Sequence, residues 1–342
     1  MSLAPSLSVT LGNLRYDTHA VELHACLEML PRGSSVRVSL PASVRFEGVP
    51  GDDASVNLDG GEGVSKLFTG KIREVHRGFG YVRATLADAA SDLAAYRPCQ
   101  TFEKQNAKQV IKTLASDAGA TVGDVDVDLD LPAFVAQPGR TAAEHIAELA
   151  RLCGAIAIVD ADGKLQVTAR PSGQPSSALL FGREILDYSS SEIQTTNAQR
   201  FAIGFGPAGS GSAPNALRPS LDFLPASAPD GGAGVIRYPS PLLRTPTASE
   251  SVSTALQTAN AARGQRLRAR CFLLPSLQPG TVIEVQSLPA GLLDGPWLLT
   301  RIMHELRPGT GGFTTIEAES ADTSSLLSGL LSAGLSAIGG LL

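Results

Sequence analysis

The hydrophobic period of this chain changes twice, and that switch restricts it to β-rich regions arranged around a helical one. Between residues 6 and 97 apolar side chains recur at every second position: Val36, Val38 and Leu40, then the run Leu67 to Val75, then Tyr81 to Leu86. A period of two puts one face of each strand in a core and the other in solvent. Gly78-Phe79-Gly80, between two such runs, predicts a tight connection. The stretch 48–63, with Pro50, Asp52, Asp53, Asp59 and clustered glycines, reads as an exposed loop without a regular element.

At Pro98 the period lengthens. Ala107, Val110, Ile111, Leu114 and Ala118 fall on one helical stripe, with Asn106 and Gln109 spaced as a capping box and Gly119 as the stop. Thr141 and Glu144 open a second helix on the same pattern, with Ile146, Leu149, Ala150 and Cys153 on one face and Gly154 at its end. Ala155 to Val159 and Leu165 to Val167 then flank Asp160-Ala-Asp-Gly163, which predicts a hairpin. After a Pro/Ser/Gly linker at 171–177, strands are expected around Glu192 to Gly204, from Arg266 onward, at Thr281 to Val285, Trp297 to His304 and Phe313 to Glu319. Thr247 and Glu250 predict the cap of a further helix that turns Val252, Ala255, Leu256 and Ala259 inward. The organisation is therefore mainly β with an α+β insertion: a β-rich 1–97, an α+β unit at 98–170, a β-rich 171–322 and an apolar tail at 323–342. Residues 206–246, dense in Gly, Pro, Ser and Ala, read as a long loop or extended arm.

Little in the sequence points to chemistry. The net charge is −5 and no basic block is present, which disfavours sequence-specific nucleic-acid binding. Cys26, Cys99, Cys153 and Cys271 have neither disulfide-scaffold nor zinc spacing. The first residues lack the positive and apolar regions of a secretory signal, so assembly is expected in the cytoplasm. Gly204 to Gly209 spells GxGxxG, yet Pro207 and the residues after it offer no helix to receive a phosphate. There is no phosphate-cradling GxxxxGK[ST], no GxSxG elbow and no HExxH, and the five histidines are scattered. Asp124, Asp126, Asp128 and Asp130 alternate with apolar residues as a solvated acidic edge or, as the alternative, a weak divalent-cation site, with Leu129 where a calcium loop needs glycine. No catalytic, metal or cofactor site is predicted, and the chain is not read as an enzyme.

Two features suit contacts with other chains. Arg266, Arg268 and Arg270 share one strand face, with Arg263 just before them, forming either a solvated outer face or a contact row for an acidic neighbouring subunit. In the tail, Leu327, Leu331, Leu335, Ile338 and Leu342 fall on one helical stripe. Its serines and glycines, and the lack of flanking Lys, Arg or Trp, argue against a stable membrane anchor. The stripe is expected to order against other copies, a spike or the body of the protein.

The order of segments carries a resemblance. Phe68-Thr-Gly-Lys-Ile72, then Leu93-Ala-Ala-Tyr-Arg97, Thr101-Phe102 and the capped helix Asn106 to Ala118 are similar to the late-control gene D family of phage tail proteins. So are the helix Ala142 to Gly154 with its hairpin Ile156 to Val167, the segment Leu277 to Val285, Leu293 to Leu306 with Trp297 and His304, and Phe313 to Glu317. The family includes baseplate hubs of contractile tails, the N-terminal half of VgrG spikes of type VI secretion, and hubs of extracellular injection systems. The resemblance implies two related, tube-like β-barrel domains flanking a small α/β domain, three copies forming a ring that adapts a six-fold tail tube to a three-fold spike. Implied partners are a homotrimer, the tube ring, a spike and other baseplate proteins, with the mature protein in a phage tail or injection particle. No oligonucleotide-fold gate or β-helix follows residue 320, so the spike is expected to be a separate polypeptide. The alternatives are a membrane-anchored or adhesive binding module, and a baseplate-associated cell-wall hydrolase.

Overall fold

The first strands follow the period-two pattern. The structure, a computed structural model, describes residues 5–17, 22–171, 174–192, 199–203, 235–240, 242–243, 246–289, 295–307 and 311–321. The N-terminal region contains β1 (Ser6–Leu11), β2 (Leu14–Tyr16), β3 (Glu22–Glu28), β4 (Ser35–Pro41), β5 (Asp53–Asp59), β6 (Val64–Gly78) and β7 (Tyr81–Ala87). Strand β5 corrects the expectation of a loop at 48–63: Ala54, Val56 and Leu58 are buried, and β5 pairs with β1 on one side and β6 on the other. The turn-forming glycines and aspartates bound a short alternating segment whose strand state is decided by these distant partners. The expected tight connection is present between β6 and β7, with Gly80 at φ +84° and the Phe79 ring fully exposed at the tip.

The insertion comprises α1 (Ala90–Ala95), β8 (Gln100–Asn106), α2 (Ala107–Asp117), β9 (Val122–Val125), β10 (Asp130–Ala136), α3 (Ala142–Leu152), β11 (Ala155–Val159) and β12 (Leu165–Ala169). Both predicted capping boxes form: Asn106 with Gln109, and Thr141 with Glu144, each side chain satisfying the other residue's backbone N–H. Asp160 Oδ1 accepts from the N–H groups of Asp162 and Lys164, closing the predicted β11–β12 hairpin. β8 pairs with β10, and β11, β12 and β9 form a second small sheet. The hairpin tip leans on β6, where Lys66 Nζ lies 2.7 Å from Asp162 and Thr69 donates to the Ala161 carbonyl.

The C-terminal part contains β13 (Ser177–Leu180), β14 (Ile185–Glu192), β15 (Gln199–Ile203), β16 (Val235–Pro239), α4 (Pro246–Ala262), β17 (Gln265–Phe272), β18 (Val282–Gln286), β19 (Gly295–Arg307) and β20 (Gly311–Ser320). β16 is a regular strand within the presumed arm at 206–246 and pairs in parallel with β15; residues 206–234 lie outside the described residues. Helix α4 begins at Pro246, so Thr247 lies in its first turn and does not cap it. Proline's fixed φ and missing N–H suit that first position. α4 buries Val252 and Leu256 in the core of the insertion, alongside Val110, Ile146 and Leu149.

One 13-stranded sheet runs through both β-rich regions in the order β14-β17-β20-β19-β3-β4-β7-β6-β5-β1-β2, with β18 beside β19 and β13 beside β18. The join is β19, which pairs along its first residues with β18 and along Arg301 to Leu306 with β3. Beneath it, Leu23, Ala25, Trp297, Leu299, Ile302 and Ile316 belong to one core with Val36, Val56 and Leu86. Among the described residues no strand pairing closes this path into a barrel. No helix among them is long and apolar enough to cross a membrane.

Candidate interaction surface

The arginine row sits where the spacing put it. On β17, Leu267, Ala269 and Cys271 are buried while Arg266, Arg268 and Arg270 are exposed. β20 lies alongside in a register that sets Glu319 opposite Arg266 and Glu317 opposite Arg268, and β19 and β3 continue the line with Arg301 and Glu28. The result is a ladder of alternating charge across four strands. Arg268 Nε is 4.0 Å from Glu317, Arg301 is 3.7 Å from Glu317 and 2.7 Å from Glu28, and Arg32 is 3.7 Å from Glu28. The Cys26 sulfur, 3.3 Å from Arg301 Nε, and then the two carboxylates hold the Arg301 guanidinium above its ordinary pKa.

The remaining arginines have different surroundings. Glu319 is taken by Arg170 at 2.8 Å, with both side chains mostly buried, which leaves Arg266 without that carboxylate. Arg270 stacks its guanidinium 4.0 Å from the Phe313 ring centroid. Arg263, Arg266 and Arg268 line a cleft of about 500 Å³ with Ser189, Ser190 and Ser191 of the exposed edge strand β14. A larger cleft, about 880 Å³, adjoins it through Met29, Arg263 and Glu319 and opens between α3 and α4. In that cleft Arg151 is bidentate on Glu148, which also accepts from Tyr238 Oη, so the charges of this one pair satisfy each other.

The acidic row is also as spaced: Asp124, Asp126, Asp128 and Asp130 are exposed, and Val125, Val127 and Leu129 between them are buried. The tail positions Leu327, Leu331, Leu335 and Ile338 lie outside the described residues, as do the GxGxxG segment and His19. Glu317, Glu319, Arg301 and Glu28, which complete the ladder, went unmarked in the sequence; only the Glu-x-Glu alternation at 317–319 hints at them.

Among the described residues the chemically reactive groups stay apart. Among the described residues no three His, Cys, Asp or Glu side chains gather in a way that would hold a metal ion. Burial pushes the thiols of Cys153 and Cys271 up to about 12, so both stay protonated and poorly nucleophilic at neutral pH. His145 is buried with Nε2 3.2 Å from both the backbone nitrogen and the carbonyl of Gln137, and burial holds it below its ordinary pKa. His304 is wholly buried, its Nδ1 2.9 Å from Thr314 Oγ1, and desolvation pushes it down to about 3. It is a neutral core residue.

Comparison with known proteins gives the family and the fold. A family model described as phage tail baseplate hub (GPD) matches residues 28–310. No curated protein matches the sequence. Among solved structures, a tail protein from Neisseria meningitidis MC58 superposes with a TM-score of 0.68 at 16% identity, covering 93% of this chain and 96% of that one. The 43 kDa tail protein of prophage MuSo2 from Shewanella oneidensis gives 0.63 at 13% identity, over 92% of this chain and 97% of that one. A component of the Escherichia coli type VI secretion system, described as similar in structure to bacteriophage T4 tail proteins, gives 0.60 at 11% identity, over 91% and 76%.

Proposed function

Because this chain belongs to the phage tail baseplate hub (GPD) family, we propose that it is the structural hub of a contractile tail or injection machine, working as a trimer that joins a six-fold tube to a three-fold spike. The observation that carries this reading is a family match over residues 28–310, from the last residue of β3 through β19. Each region supplies one tube-like barrel. In support, the strands at the two ends of the C-terminal path, β13 and β14, are chain neighbours separated by a short turn in which Gly182 N–H bonds to the Ile185 carbonyl. Six such barrels from three copies match a six-membered ring above, while the three-fold axis suits a spike below. The role is assembly and not catalysis, with the protein made in the cytoplasm and then built into the particle. Its partners are two further copies, the tube ring, the spike and other baseplate proteins.

The test is a deletion of the gene in a producing strain, complemented in trans. Loss of assembled tails, with restored particles holding three copies under the tube in an electron-microscopic reconstruction, is the expected result. Normal particles without the protein would overturn the reading.

A further inference from the structure

We propose that the arginine face of β17 receives the acidic row 124–130 of a second copy of this chain. The inference draws on the hub reading only in requiring that copies adjoin.

Six guanidiniums, those of Arg32, Arg170, Arg263, Arg266, Arg268 and Arg301, crowd around three carboxylates, Glu28, Glu317 and Glu319. With Arg270 and the carboxylates of Asp187 and Glu192 on the adjoining β14 counted as well, the local excess is still positive, on a chain whose net charge is −5. Since Arg170 occupies Glu319, and Glu317 is shared between Arg268 and Arg301, the excess falls on Arg263, Arg266 and Arg268, which line one cleft. The hydroxyl-bearing edge Ser189 to Ser191 forms another wall of it and adds hydrogen-bond donors. This face therefore fits a row of carboxylates.

The same molecule presents such a row. Asp124, Asp126, Asp128 and Asp130 are exposed, and none forms an ion pair among the described residues. The backbone beneath them is held: Asp126 N–H bonds to the Val167 carbonyl at 2.7 Å, Ala107 N–H to the Leu129 carbonyl at 2.8 Å, and Asp124 N–H to Gln166. Val125, Val127 and Leu129 anchor the opposite side in the insertion's core. In extended chain, alternate residues repeat at about 6.5–7 Å. Arg266 and Arg268 thus have the same repeat as two successive aspartates of that row and pair with them in register as charge-assisted hydrogen bonds, with Arg263 beside them in the same cleft and Arg270 held on Phe313. Among the described residues no ion pair joins the two rows within one chain, so a contact between them takes a second copy. Contact between two different patches is heterologous, the type that generates rings.

The experiment uses the full chain and reads self-association by sedimentation velocity at low and high salt. One variant carries Arg263→Glu, Arg266→Glu and Arg268→Glu; a second carries Asp124→Lys, Asp126→Lys and Asp128→Lys; a third carries all six. Each single-row reversal is expected to weaken association by about 10-fold or more, and the six-fold variant to recover most of it, because the pairing is restored with its signs exchanged. Added salt weakens association of the parent and of the six-fold variant alike. Glutamine in place of the three arginines, checked by circular dichroism, separates loss of contact from misfolding. A parent that stays monomeric throughout, single-row variants that associate as the parent does, or a six-fold variant showing the summed losses would each overturn the proposal. Association that follows these rules in a protein dispensable for tail assembly would refute the hub reading and leave this contact standing.

Discussion

The insertion and the large sheet are built from equally buried residues, but they hold together over different lengths of chain. In the insertion, α2 and α3 start at capping boxes three residues wide, β11 and β12 meet across Asp160 to Gly163, and the core draws mainly on neighbouring elements. The sheet is joined where β3 meets β19, bringing Glu28 opposite Arg301. Local contacts form early and cheaply, whereas a pairing across most of the chain carries a large loop-closure cost before it contributes anything. The difference teaches that the insertion is held mainly by short-range elements with α4 added from a distance, and that the two halves of the sheet meet at one long-range seam.

The largest expected effect tests that seam. Ile302→Ala, at a wholly buried position of β19, should cost about 2–5 kcal/mol and lower hydrogen-exchange protection in β3, β4 and β20 together. Ile146→Ala on α3 should cost a similar amount but expose chiefly the amides of α2, α3 and α4, which share its core. Equal loss of protection everywhere in both variants would erase the contrast.

Acid should act on the sheet next. His304 has a folded-state pKa near 3 against an ordinary 6.5, so the unfolded chain binds the extra proton between those values and stability falls as pH drops through that window. The slope from this one group is at most about 1.4 kcal/mol per pH unit, and His304→Gln should flatten it in calorimetric melts. Asp88 works in the opposite sense. It is buried, accepts from the backbone N–H groups of Ser34 and Ala90, and is raised by desolvation from 3.8 to about 6. Its contribution therefore grows as pH falls from about 6 toward 3.8, and Asp88→Asn should remove that counter-slope.

Smaller effects sharpen the comparison from the insertion's side. Asn106→Ala deletes one cap and should cost about 1 kcal/mol, with fraying confined to α2. Last is the ladder: a double-mutant cycle on Glu28→Gln and Arg301→Gln, measured by urea unfolding, should give a coupling below about 1 kcal/mol that shrinks with salt. A coupling of several kcal/mol would make the seam electrostatic instead of apolar.

The same contrast explains what could be read from the sequence. Asn106 with Gln109 and Thr141 with Glu144 announce their helices because a cap is complete within one turn. β5 stayed hidden, since Ala54, Val56 and Leu58 are too few to outweigh Gly48, Gly51, Gly60 and Gly61 around them, and only β1 and β6 reveal their strand state. The exposed face of Arg266, Arg268 and Arg270 follows from alternation alone. Which carboxylates face it depends on the β17–β20 and β19–β3 registers, and no local pattern encodes those. Likewise α4 is legible as a helix, yet its burial of Val252 and Leu256 against the insertion is a tertiary fact.

The seam also has a mechanical meaning. From Arg301 to Leu306, β19 lies antiparallel to β3 over six successive residue pairs. Tension along the strand axis is shared by all the cross-strand bonds at once, so they fail together; tension across the sheet opens them one at a time from an end. The direction of that strand is therefore the one along which the β19–β3 seam itself resists separation best.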